Sequence, residues 1–140
     1  MIVLDTNVVS EPMRPNGNPA VRTWLDQQVA ETLYLTATSL AELLMGVETL
    51  PGGKRKEGLA TALSELIESL FESRILPFDQ QAARAYAPLV GRARAAGQII
   101  SVADGQIAAI ATLHGFAVAT RDTAPFVAAG VPVINPWETQ

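Results

Sequence analysis

The sequence predicts a three-layer α/β sandwich around a mostly parallel, five-stranded sheet. Five short apolar runs alternate with stretches of helical spacing. The runs are continuous instead of alternating with polar residues, as befits strands covered on both faces. Acidic residues also recur where strands end or the next helix begins, which is where open α/β sheets bind ligands.

The elements follow in order. MIVLD reads as a short buried strand, and PAVRTWLDQQVA after it has helical spacing, with Val21, Trp24, Leu25 and Val29 on one face. TLYLT is the second strand. SLAELLMGVETL is helical, and PGGKRKEG breaks it with a Pro-Gly-Gly turn carrying both lysines, Lys54 and Lys56. LATALSELIESLFES is an amphipathic helix with Leu59, Leu63, Leu66, Ile67 and Leu70 in register. RILPF gives a strand, and DQQAARAYAPLVGRARAAG gives a long helix capped by Asp79. ISVADGQIAAIATLHG is a helix ended by Gly115. FAVATRD and VPVIN supply the last strands, with a short helical turn between them.

The 140 residues fit one domain, 1–140, long enough to bury roughly two-thirds of the unfolded chain's surface. The absence of cysteine excludes a disulfide scaffold, a thiolate metal site and a cysteine nucleophile. A formal charge of −4 argues against a broad basic face for nucleic acid. No secretory leader or membrane span is apparent, so a soluble cytoplasmic protein is expected. His114, the one histidine, stands at a helix end, where complementing the helix dipole is its expected role.

Asp5 ends the first strand, Glu42 lies one turn into the helix after the second, Asp104 lies in the first turn of a later helix, and Asp122 ends FAVATRD. All four are expected at one edge of the sheet. Each has a local alternative: Ser39 to Glu42 and Ser101 to Asp104 fit the capping box, while Asp5 and Asp122 suit a cap and an Asx-turn. Together, though, like carboxylates repel unless something cationic compensates. Mg²⁺ and Mn²⁺ favour carboxylate oxygen and water, and promote in-line displacement at phosphorus. Phosphodiester hydrolysis is the chemistry that fits.

These residues carry a resemblance that spans essentially the whole chain. The start IVLDTNVVSEPMRP, the block SLAELLMGV, the segment RILPFD, the helix start IISVADGQIAAIA and the ending AVATRDTAPFVAAGVPVINPW resemble PIN-domain proteins, and among them the VapC toxins of the FitB-like branch. The resemblance implies a PIN-like fold and a toxin with Mg²⁺- or Mn²⁺-dependent endoribonuclease activity. It also implies a homodimer and neutralisation by a small VapB- or FitA-like antitoxin. It matches Asp5, Glu42, Asp104 and Asp122 to the family's catalytic acids, with Asp5, Asp104 and Asp122 as metal ligands and Glu42 as a ligand or the group orienting water. Many VapC proteins read TRN at the fourth position and carry their acid three residues on; this chain has TRD, then Pro125 before Phe126. Thr6, Asn7 and Thr120 match polar positions that orient carboxylates or water.

Arg121, beside the fourth acid, is a candidate phosphate ligand or ion-pair partner. Lys54, Arg55 and Lys56 and the pair Arg92 and Arg94 are further candidates for phosphate, although a solvated surface suits them better. An apolar fraction of 49% suggests partner surfaces for a second copy and an antitoxin, the helix with Leu63, Leu66 and Leu70 and the one from Pro19 being candidates for the antitoxin groove. A haloacid-dehalogenase-like phosphatase would need an aspartate where Asn7 stands. A receiver domain would need a lysine after a late strand. The alternative from another class is a PIN fold that only binds, within an antitoxin–DNA regulatory complex.

Overall fold

Successive residues of a strand face opposite sides of its sheet, and in the first strand both sides are buried: Val3 joins one apolar cluster and Leu4 another. The computed structural model describes residues 1–138. In chain order, β1 (Ile2–Leu4) leads to α1 (Thr6–Ser10), a 3₁₀ turn (Glu11–Met13) and α2 (Pro19–Asp26). A second 3₁₀ turn (Ala30–Thr32) precedes β2 (Leu33–Thr36), α3 (Ala37–Glu48), α4 (Lys54–Leu66) and a π-helical turn (Ile67–Phe71). Then come β3 (Ile75–Leu76), α5 (Gln80–Ala95), α6 (Val102–His114), β4 (Ala117–Ala119), α7 (Thr123–Ala128) and β5 (Val133–Ile134).

The five strands lie in the order β3-β2-β1-β4-β5, and every neighbouring pair is parallel. The sheet is thus wholly parallel, where the sequence predicted mostly so. Ile2 pairs with Leu33 on one side and Ala117 on the other, which puts β1 at the centre. One core cluster joins Val3 and Val118 to Leu89, Ile107 and Phe126 of α5, α6 and α7. On the other face, Leu4, Leu35 and Ala119 pack with Val8, Val21, Trp24 and Phe71. Burying each large side chain contributes about 1.5–3 kcal/mol, so this alternation holds the three layers together.

Predicted caps of the two longest late helices are present. Asp79 accepts the Ala82 N–H at 2.9 Å, and Gly115 ends α6 at φ 71°, a left-handed conformation that suits glycine. Elsewhere the structure differs from the expectation. Thr36, the last residue of β2, caps α3 by accepting the Ser39 N–H at 3.0 Å, so the Ser39–Glu42 capping box does not form. The helix springs directly from the strand, and the first hydroxyl in extended backbone takes the cap. α2 stops at Asp26, where the Gln28 amide donates to the Trp24 carbonyl at 3.0 Å; Val29 lies outside the helix and is exposed.

Lys54 and Lys56 belong to the first turn of α4, not to the break before it. The turn is confined to residues 51–53, with Gly53 at φ 144°, and lysine and arginine readily enter a helix. Lys56 Nζ reaches back to the Glu48 carbonyl at 2.9 Å and covers the end of α3. The helix predicted over LATALSELIESLFES is α only to Leu66. It widens to the π turn, in which Glu72 N–H bonds the Ile67 carbonyl at 2.8 Å and Phe71 enters the core fully buried.

Candidate functional site

In a parallel sheet the chain leaves each strand at its carboxyl end, and a crevice opens where successive connections run to opposite sides. Here β2 lies on one side of β1 and β4 on the other. Asp5 follows β1 directly and Thr120 follows β4 directly, so both stand in that crevice. Backbone hydrogen bonds set the register: Asp5 N–H bonds the Ala119 carbonyl and Thr120 N–H the Ile134 carbonyl, each at 2.9 Å.

Asp5 is only 4% exposed, and both of its carboxylate oxygens have partners. Oδ1 accepts the Thr6 N–H at 2.8 Å, making Asp5 the cap of α1, and Oδ2 accepts the Thr120 hydroxyl at 2.8 Å. Thr120 Oγ1 in turn accepts the Asp122 N–H at 3.1 Å. Asn7 Oδ1 accepts the Arg121 N–H at 3.3 Å, tying α1 to the loop after β4. The predicted Asx-turn at Asp122 is absent: its side chain makes no capping bond at the start of α7. Its carboxylate is not engaged with the helix end.

Glu42 comes from the exposed side of α3 and Asp104 from the first turn of α6, where Ser101 accepts the Asp104 N–H at 3.0 Å. The cap expected at Ser101 therefore forms, and it orients the Asp104 backbone. Thr38 donates its hydroxyl to Gln106 Oε1 at 2.8 Å and braces the two helices that bear these acids.

The carboxyls feel one another. Burial raises Asp5 above its ordinary value, hydrogen bonds from Thr120 and Thr6 oppose the shift, and the Asp122 charge adds to it. Glu42 is raised first by lost solvation and then by the charges of Asp5 and Asp104. Asp104 is raised by burial and by the charges of Asp5 and Asp122, with Ser101 opposing. No lysine or arginine figures among these influences. Four acids from four separate segments thus converge on one crevice and raise one another's cost of ionisation.

That donor set suits a hard divalent cation. Among the described residues no three acidic or histidine side chains stand close enough together to hold one ion. Mg²⁺ keeps several waters and takes only one or two protein carboxylates, so an open acidic crevice fits it. His114 plays no part here: it ends α6, its ring 5.5 Å from that of Phe116.

Arg121 does not pair with the acids. Its guanidinium carbon lies 5.3 Å from the ring centre of Trp137, in a cation–π arrangement. Reading the sequence assigned no role to Trp137. An aromatic after Asn-Pro near the last strand was the available signal, but nothing in the local pattern connects it to position 121.

Beside the crevice runs a groove of about 570 Å³. Glu42 lies in its wall with Leu43, Val47 and Leu50 of α3, while Leu59 and Leu63 of α4 face them. Of the helix residues predicted for a partner groove, Leu63 lines this one. Leu66 and Leu70 line a smaller hollow of about 140 Å³ with Leu25 of α2.

Comparison with known proteins places this architecture. Residues 2–131 match the PIN domain. The chain is 50% identical over 138 residues to the VapC ribonuclease Y4jK of Sinorhizobium fredii, covering 99% of each. It is likewise 50% identical over 137 residues to the toxin FitB of Neisseria gonorrhoeae, covering 98% of this chain and 99% of that protein. A solved structure of FitAB bound to an IR36 DNA fragment contains a chain that superposes with a TM-score of 0.95 at 48% identity, over 100% of this chain and 98% of that one. With its all-parallel sheet, acidic crevice and matching relatives, the chain belongs to the PIN-domain family.

Proposed function

We propose that this protein, as a single domain over 1–140, is the toxin of a toxin–antitoxin pair and an endoribonuclease dependent on Mg²⁺ or Mn²⁺. One observation carries the reading: Asp5, Glu42, Asp104 and Asp122 converge on the crevice between β1 and β4, and the charges that act on Asp5, Glu42 and Asp104 there are those of the other acids. The names of the similar proteins, a VapC ribonuclease and a FitB toxin, agree with it.

Asp5, Asp104 and Asp122 would hold one or two ions between them, each ion keeping bound waters, and Glu42, the most open of the raised acids, would add a ligand or orient the attacking water. When bound, the ion acidifies water and offsets charge on the phosphate. Thr120 fixes the Asp5 carboxylate by donating to Oδ2, leaving that oxygen's other lone pair available to the ion. Thr6 supplies the N–H to Oδ1, and Asn7 anchors the loop that carries Arg121.

The partners follow from the surfaces. The apolar groove between α3 and α4 suits an amphipathic segment of a VapB- or FitA-like antitoxin, and an arginine at its end would reach the acids beside Glu42 and compete with the ion. Leu44 and Met45 on α3, Ile99 in the loop before α6 and Val102 at its first position are exposed by 50, 63, 89 and 65%. An apolar surface of this kind suits a homodimer. No described helix is long and apolar enough to cross a membrane, and the proposed site of action is the cytoplasm.

Purified, antitoxin-free protein incubated with total RNA should cleave it when Mn²⁺ is present and stop when a chelator is added. Intact RNA in the presence of demonstrated ion binding would overturn the ribonuclease reading. It would favour a role confined to binding within an antitoxin–DNA complex.

A further inference from the structure

Arg121 stands one residue after Thr120, the donor to Asp5 Oδ2, and one before Asp122. An arginine at such a place ordinarily folds onto a carboxylate, because a bidentate pair is among the stronger polar contacts available to it. Here it does not. Among the described residues the one ion pair joins Arg14 to Glu11, far from this loop in sequence. The Arg121 guanidinium lies instead over the Trp137 ring, its carbon 5.3 Å from the centroid.

Both partners are held from behind. The Arg121 backbone N–H is donated to Asn7 Oδ1 at 3.3 Å. Trp137 donates its own backbone N–H to Asn135 Oδ1 at 3.0 Å and packs half-buried against the cluster that contains Leu4 and Ala119. Indole is the strongest aromatic partner for a cation. Among the described residues no hydrogen bond or ion pair engages the guanidinium, so its N–H groups remain available, and their fork matches phosphate geometry. A cation is thereby fixed beside the acidic crevice without entering it. The carboxylates keep their affinity for a metal ion, and the arginine keeps its donors for an anion.

We propose that Arg121 binds a backbone phosphate of single-stranded RNA at the rim of the carboxylate crevice, with Trp137 as the positioning residue that holds it off the acids. This rests on the ribonuclease reading and adds to it a substrate contact outside the metal-binding acids. A flexible arginine loses rotamer entropy on binding phosphate, and the indole reduces that loss in advance.

The test measures binding of a fluorescently labelled single-stranded RNA oligonucleotide by anisotropy in Ca²⁺, with cleavage of the same RNA followed in Mn²⁺. Arg121→Ala and Trp137→Leu should each weaken binding about three- to fivefold, the range of an exposed cation–π contact. Arg121→Ala should also reduce the slope of log affinity against log salt by about 0.7, the value for one phosphate on a single strand. The double variant should bind about as well as either single one, since the ring acts through the guanidinium. Trp137→Phe keeps a weaker ring and should fall between Trp137→Leu and the parent, and it serves as the second variant if Trp137→Leu does not fold. KM for cleavage should rise while kcat changes by less than about twofold.

Parental binding by Arg121→Ala would overturn the phosphate contact, and full additivity in the double variant would overturn the positioning role. A parent that cleaves RNA while these variants match it sinks this proposal alone. A parent that neither binds nor cleaves RNA removes the ribonuclease reading and this proposal with it.

Discussion

The Thr120 hydroxyl donates to Asp5 Oδ2 at 2.8 Å across 115 positions of sequence, and both side chains are buried. The bond joins the carboxyl ends of β1 and β4, the two strands that flank the crevice. It also orients the most deeply buried acid of the site. Thr120→Val keeps the shape and removes the donor. Leaving a buried acceptor unpaired costs about 1–3 kcal/mol, and the loss also withdraws a contact that favours the charged form of Asp5. Urea unfolding should show a loss of that size, and the acidic limb of the cleavage rate profile should move to higher pH. An unchanged limb would show that Asp5 ionisation does not depend on this hydroxyl.

Asp5→Asn preserves an acceptor for the Thr6 N–H and so keeps the cap of α1. It removes the central negative charge. Cleavage in Mn²⁺ should fall by about a hundredfold or more, in line with loss of an electrostatic catalytic group, while circular dichroism and thermal unfolding show a folded chain. Parental cleavage by this variant would remove Asp5 from the catalytic set.

The raised carboxyls also set a pH dependence. Asp5, Glu42 and Asp104 hold their protons to higher pH in the folded chain than in the unfolded one. The native state binds more protons between those two limits, so its stability falls as pH rises through them. The contribution of these groups is most favourable below their ordinary values near 3.8 and 4.5 and is lost once the folded groups have ionised. Without divalent ions, Asp104→Asn should therefore raise the Tm at pH 7 relative to its effect at pH 4. Added Mg²⁺ or Mn²⁺ should raise the Tm of the parent at pH 7 and do little at pH 4. A Tm at pH 7 that ignores both the ion and the substitution would contradict this electrostatic account.

Gly105 follows Asp104 and faces α5 at close range. A Cβ there would lie 2.7 Å from Tyr86 Cε2 and 3.1 Å from Val90 Cγ2. Gly105→Ala gains about 1 kcal/mol of helix propensity but overpacks the contact between α5 and α6, typically at about 1–3 kcal/mol. The expected net result is a modest loss of stability, reversed by Tyr86→Leu in the same chain. A more stable Gly105→Ala single variant would show that the Tyr86 ring moves aside freely.

Much of this molecule is legible locally. Continuous apolar runs such as IVL mark strands buried on both faces, because a polar side chain on either side would lose its hydration. Asp79, Ser101 and Gly115 announce helix ends through short-range chemistry that needs no tertiary partner. The start of α3 is not legible locally because Thr36 and Ser39 are both competent caps, and only the end of β2 decides between them. The π turn after Leu66 is not legible, since it answers to how deeply the core admits Phe71 and not to any local signal in residues 67–71.

The sequence by itself determined the alternation of strands and helices, the placing of four acids near element ends, and the absence of cysteine chemistry, because each follows from side chains and their immediate neighbours. Only the tertiary structure decided that Thr120 would hold Asp5, that Thr38 and Gln106 would brace the helices bearing Glu42 and Asp104, and that Arg121 would settle on Trp137 instead of a carboxylate. Those pairings join distant segments whose approach is set by strand order and layer packing, and periodicity along the chain carries no record of which two distant residues the sheet will bring together.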